Sequence, residues 1–135
     1  MDIVCDDNYL PLINDGVYEV QCLRYDDSFC LGKARKLFLH FQIITEGEYH
    51  GMRLFQAFNL PYNMKIKAGS KYYKTWVMVN GWMRPSKNAK MSPRLFLNKV
   101  FKVRTRTVKP KHNDKLMPES FHYSVVDELI EVIAG

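Results

Sequence analysis

An all-β domain carrying a single helix is the fold class the sequence predicts. Three observations predict it. Apolar and polar residues alternate with period 2 in five separate stretches. One stretch alone, near residues 70–81, has helical spacing. The chain has 135 residues, 47% hydrophobic and 25% charged, which is a single domain able to bury roughly two-thirds of its unfolded surface without a metal or disulfide.

The elements follow in order. Residues 1–15 lack periodicity and form an N-terminal extension ending in the turn signal Asn14-Asp15-Gly16. A first strand then sets Tyr18, Val20 and Cys22 on one side and Glu19 and Gln21 on the other. Asp26, Asp27, Ser28 and Gly32 predict a loop. Residues 35–45 form the clearest strand, with Leu37, Leu39, Phe41 and Ile43 on its apolar face and Lys36, Phe38, His40 and Gln42 on the other. Glu46-Gly47-Glu48 is a turn, and a third strand runs from about Met52 to Leu60, where Pro61 stops it.

Ser70 is the expected helix N-cap and Gly81 the expected C-terminal stop. Residues 82–98 predict a long basic loop with a short helical turn near Pro93. A fourth strand covers 99–109, residues 110–118 predict a polar loop, and the last segment begins as a strand at 121–126 and turns helical through 127–131. One helix cannot cover an open five-stranded sheet. The sheet is therefore expected to curl on itself with the helix plugging one end, which is the β-β-β-α-β-β order of an OB-fold barrel. The alternatives are another small β-barrel or an α+β sheet with one helix.

Several functional classes are disfavoured. No apolar run approaches the roughly 20 residues of a membrane-spanning helix, and the acidic start MDIVCDDNYL lacks signal-peptide order. A cytoplasmic location is expected. Three cysteines, Cys5, Cys22 and Cys30, contain no CxxC pair. Cys22 and Cys30 face each other across a hairpin in one reading and are small buried hydrophobes in the favoured one. His40, His50, His112 and His122 are scattered without metal-ligand spacing, and no nucleotide-binding or nucleophile motif is present. Asp26 and Asp27 beside His40 fit turn chemistry better than a metal site. No enzymatic role and no cofactor are expected.

Charge is the strongest functional signal. The net charge of +6 is modest, but residues 31–112 carry +16 between acidic flanks of −6 and −4. Such polarity favours a polyanionic partner. On the second strand, an outward Phe38 beside Lys36 and His40 suits base stacking, at about 1–3 kcal/mol per base, and Arg53 and Phe55 extend that platform on the third strand. The alternative places Phe38 in a satellite core. On the fourth strand Lys102, Arg104 and Arg106 project to one side, about 7 Å apart, as a row for phosphates. The alternative is an edge strand guarded by its charges. Lys65, Lys67, Lys71 and Lys74, with Arg84, Lys87, Lys90 and Arg94, are either a backbone funnel or a solvated surface. Tyr72, Tyr73 and Trp76 are expected in the core. Trp82, in a basic loop, is a further stacking candidate together with Tyr62.

Short motifs add a resemblance. Gly16-Val-Tyr-Glu-Val20, Lys36-Leu-Phe-Leu-His-Phe-Gln-Ile43 and Gly47-Glu-Tyr-His-Gly51-Met-Arg-Leu-Phe55 resemble the opening of small OB-fold single-stranded DNA-binding proteins of phages and integrative elements. Val103-Arg-Thr-Arg-Thr-Val108 and Tyr123-Ser-Val-Val-Asp127 are similar to members carried on conjugative elements of Gram-negative bacteria. The resemblance spans about residues 16–127. It implies an OB-fold that binds single-stranded DNA during replication or transfer of a mobile element. The segment 127–135 departs from the long Gly/Pro/Gln-rich tail of housekeeping single-strand binding proteins, so the resemblance does not carry over tail-mediated recruitment of repair enzymes. Nor does it carry over the usual tetramer, because the match does not reach its assembly surfaces.

The expected function is thus sequence-independent binding of single-stranded DNA. RNA remains open, because an aromatic platform does not read the 2′-hydroxyl. The oligomeric state is also open, a homodimer included. The rival is an accessory module of a mobile element that turns a basic face toward an acidic protein partner.

Overall fold

The computed structural model describes residues 1–3, 10–29 and 35–135, without the side chains at 28 and 29. Among these residues the chain forms β1 (Val17–Phe29), β2 (Arg35–Ile43), β3 (Arg53–Leu60), α1 (Lys71–Val79), a 3-10 turn at Pro93–Phe96, β4 (Val100–Val108), β5 (Lys111–His112), β6 (Lys115–Leu116), a 3-10 turn at Glu119–Phe121 and β7 (Tyr123–Ala134). Five strands make one antiparallel sheet in the order β3-β2-β1-β4-β7, and β5 and β6 make a separate hairpin. The molecule is mostly β with one α-helix, as the alternation predicts.

Period-2 patterning decides which side chains point inward. On β2 the buried set is Leu37, Leu39, Phe41 and Ile43. The antiparallel register pairs Leu37 with Phe58 and Phe41 with Leu54, so β3 buries Leu54, Gln56, Phe58 and Leu60. On β1, Val20 and Cys22 are buried until a bulge between Cys22 and Arg24 resets the alternation and brings Tyr25 opposite Leu39. Edge-to-face and tilted rings link these layers. Phe41 meets Phe101 at 6.2 Å, Phe101 meets Phe96 at 6.3 Å, Phe96 meets Tyr72 at 6.1 Å, and Tyr72 meets Phe58 at 5.5 Å.

The sheet curls until its two edges touch through side chains. The Gln56 amide donates to the Asp127 carbonyl at 3.2 Å, and the Lys71 ammonium donates to the same oxygen. No backbone ladder joins β3 to β7 among the described residues. α1 packs against both strands. Its start is the expected one: the Ser70 hydroxyl accepts from the Tyr73 N–H at 3.2 Å. Its end is a paired closure in which Trp82 N–H reaches Val77 O (2.8 Å) and Gly81 N–H reaches Met78 O (3.2 Å), with Gly81 at φ +72°. Trp76 and Tyr72 are core residues as expected, and their polar tips bond Ser92 O (3.0 Å) and Met91 O (2.7 Å). The basic loop is thereby anchored to the helix. Its short helical turn is found at Pro93–Phe96, capped by Ser92.

Three expectations are corrected. Asp26–Ser28 belong to β1 rather than to a loop, because Asp26 pairs with Arg24 and His40 and Asp27 with Arg35, which satisfies both carboxylates on extended backbone. Residues 127–131 continue β7 as strand rather than turning helical. Val125, Val126, Ile130, Val132 and Ile133 are β-branched, and the ladder with β4 absorbs the irregular alternation through three register shifts. The polar loop 110–118 holds the β5–β6 hairpin, whose Asn113 and Asp114 lie at φ +51° and +63°, the signs a type I′ turn requires.

The end of the N-terminal extension is laced to the sheet. Ser124 N–H donates to Pro11 O at 2.8 Å, Ile13 N–H to Ser124 Oγ at 2.9 Å, and Gly16 N–H to Thr105 Oγ1 at 3.0 Å. Among the described residues no helix is long and apolar enough to cross a membrane. Cys22 is a buried thiol with no disulfide partner among the described residues, and burial pushes its pKa up to about 12. Cys5 and Cys30 lie outside the described residues, and with them the Cys22–Cys30 pairing.

Two outcomes test this packing. With Cys5 and Cys30 replaced by Ser, a thiol reagent at pH 8 is expected to label Cys22 only upon denaturation, and mass spectrometry checks this. Ser70→Ala is expected to lower unfolding stability by about 1 kcal/mol in a urea titration, through loss of the helix cap.

Candidate nucleic-acid interface

The outward face of β1, β2 and β3 follows from the same register. His40 stands opposite Phe55 and Arg24, Phe38 opposite Ala57 and Asp26, Gln42 opposite Arg53, and Lys36 opposite Asn59. Phe38 and Phe55 meet edge-on at 5.7 Å, and Phe55 continues to Tyr123 of β7 at 6.3 Å with 30° between planes. Three half-buried rings therefore cross β2, β3 and β7. Phe38 lies in this outward row, and not among the buried core.

Charge on this face is uneven. Asp26 accepts from His40 Nε2 at 2.7 Å and from Arg24. Burial opposes ionisation of its carboxyl, but the hydrogen bonds and charges of His40 and Arg24 outweigh it and hold the carboxyl below its usual range. Asp27 projects to the opposite side of β1 and pairs with Arg35, its Nε at 2.9 Å. Asp26 and Asp27 thus do not converge with His40 on one point. Lys36 and Arg53 have no ion-pair partner among the described residues. A cleft of about 530 Å³ opens where this face meets Leu10 and Pro11, lined also by Arg24, His40, Arg53 and Phe55.

The fourth strand differs from its expectation. Lys102, Arg104 and Arg106 do share one side of β4, but each meets an acid of β7. Lys102 lies 3.6 Å from Glu131, Arg104 2.6 Å from Glu128, and Arg106 3.0 Å from Asp127. Three cations against three carboxylates cancel, so this stripe is not a free row for phosphates. Half-exposed pairs of this kind contribute about 0–1 kcal/mol each to stability.

Trp82 is 74% exposed and Tyr62 77%. Trp82 is held outward by the closure of α1, at φ +64°, and shares no ring contact with the aromatic row. Lys65, Lys67, Lys74, Arg84, Lys87, Lys90 and Arg94 have no ion-pair partner among the described residues. Lys71 alone of its run is engaged, with Asp127 O. The structure therefore brings Lys36, Phe38, His40, Arg53 and Phe55 onto one face, and sets Trp82 and the β4 cations outside it. Sequence reasoning missed Tyr123 as a site residue. Its place beside Phe55 arises from the approach of β7 to β3, which no local pattern encodes.

Asp26→Asn tests the electrostatics. With its pKa lowered in the fold, Asp26 stabilises the native state fully above about pH 5, and that contribution disappears as pH falls below the ordinary carboxyl value of 3.8 and through the lowered native value. The gap between wild-type and variant urea midpoints is thus expected to be constant near neutrality and to close in acid.

No protein-family model matches the chain, and no curated protein sequence matches it.

Proposed function

We propose that the protein is a non-enzymatic, sequence-independent single-stranded DNA-binding protein built on an OB-type barrel. The strand order β3-β2-β1-β4-β7, with β3 and β7 touching, supports that architecture. In such barrels the face of strands 2 and 3 takes oligonucleotides. The single observation that carries the reading is the outward row Phe38–Phe55–Tyr123 flanked by Lys36 and Arg53, which have no ion-pair partner among the described residues. Rings accept the π-face of any base, while cations hold phosphates without reading sequence. A role in replication or conjugative transfer of a mobile element rests on the resemblance of the strand motifs alone, and a cytoplasmic setting on the composition and N-terminal sequence.

The phosphate role expected of Lys102, Arg104 and Arg106 is not retained. Their charges are matched by Glu131, Glu128 and Asp127 on the same molecule.

Phe38→Ala with Phe55→Ala is expected to weaken oligo-dT binding by about 1–3 kcal/mol per lost stack, equally for other sequences, in an anisotropy titration. Lys36→Ala with Arg53→Ala is expected to reduce the slope of log affinity against log salt by about 0.7 per contact. Replacing Arg104 and Glu128 together by Gln removes a pair without changing net charge, and is expected to leave both quantities unchanged. Unaltered binding in the first two variants would overturn this site.

A further inference from the structure

We infer that a bound single strand runs along β2 and β3 and enters a second cleft beside α1, where unstacked bases lodge; this rests on the reading that the outward face binds single strands. The cleft, about 960 Å³, lies between α1 and the loops 61–67 and 85–93. Its walls include Met64, Ile66, Tyr73 and Met91, and its cations among the described residues are Lys65 and Lys90.

The two sites meet at one end of these strands. The outward pair Lys36–Asn59 stands beside Leu60, the last residue of β3, which with Leu37 lines the cleft from the core side. A single strand leaving Phe38 past Lys36 therefore reaches the cleft by rounding the end of β3, where the chain continues into Met64, Lys65 and Ile66 of the cleft wall. The far wall is held in place, because Tyr72 Oη and Trp76 Nε1 bond the backbone of Met91 and Ser92.

Charge selects the occupant. Residues 49–113 contain no Asp or Glu. The acid lining the cleft, Asp27, already accepts from Arg35. Apolar walls under a lysine rim match bases inside and phosphates outside. A free inorganic anion would leave the walls unused, and a neutral peptide would leave the lysines unused. β4, by contrast, offers no uncompensated charge to draw the strand the other way.

Lys65→Ala with Lys90→Ala tests this, since both side chains are exposed and leave the core intact. Anisotropy titrations use labelled dT4 and dT12, lengths within the roughly 4–16 nucleotides of single OB-folds. The expected result is a salt slope lowered by about 1.4 for dT12 and unchanged for dT4. An unchanged slope for dT12, or an equal fall for both lengths, overturns the path while the binding reading stands. Absence of wild-type binding to either oligonucleotide overturns that reading itself. An alternating Asp-Phe peptide that binds only with Lys65 and Lys90 intact, while dT12 is indifferent to them, assigns the cleft to a protein partner and also overturns the proposal.

Discussion

The pairing of His40 with Phe55 across β2 and β3 is the constraint on which the molecule depends. Side chains alternate across a strand, so this register sends Leu37, Leu39, Phe41 and Ile43 into the core and leaves Phe38, His40, Arg53 and Phe55 outside. A slip of one residue between the strands would expose four aliphatic or aromatic side chains and bury charge. The core and the aromatic row are two faces of one register, and neither exists without the other. The bulge after Cys22 extends the arrangement to β1, since it turns Arg24 and Asp26 outward and brings Tyr25 over the core.

Charge is sorted by a second pairing. β7 sets Asp127, Glu128 and Glu131 against Arg106, Arg104 and Lys102, which silences one cationic stripe. Cations with no ion-pair partner among the described residues then remain on the β2–β3 face and on the loops around α1. The acidic end of the chain thus acts as more than a solubilising flank. It neutralises the cations on one side of the molecule, while Lys36, Arg53, Lys65 and Lys90 have no ion-pair partner among the described residues. Exposed ion pairs contribute little to folding, so their effect lies in the field presented to a ligand.

Local signals in the sequence were strong where one principle acted alone. β2 follows a clean alternation, Ser70 caps α1, Gly81 ends it, and Trp76 falls on the buried side. They failed where partners came from afar. Asp26 and Asp27 look like turn residues until His40 and Arg35 satisfy them on a strand. The end of β7 looks helical because three register shifts interrupt its alternation. The row of β4 looks like a phosphate site because the neutralising acids stand 21 to 29 positions away in the chain. For the same reason Tyr123 gave no sign that it would extend the platform.

Hydrogen exchange with and without dT12 tests the central claim most directly, because it reads every strand at once. The account predicts slowed exchange in β2, β3 and the segments 61–67 and 85–93, with β4 and the end of β7 unaffected. Protection centred on β4 and β7, or none anywhere at saturating oligonucleotide, would contradict it.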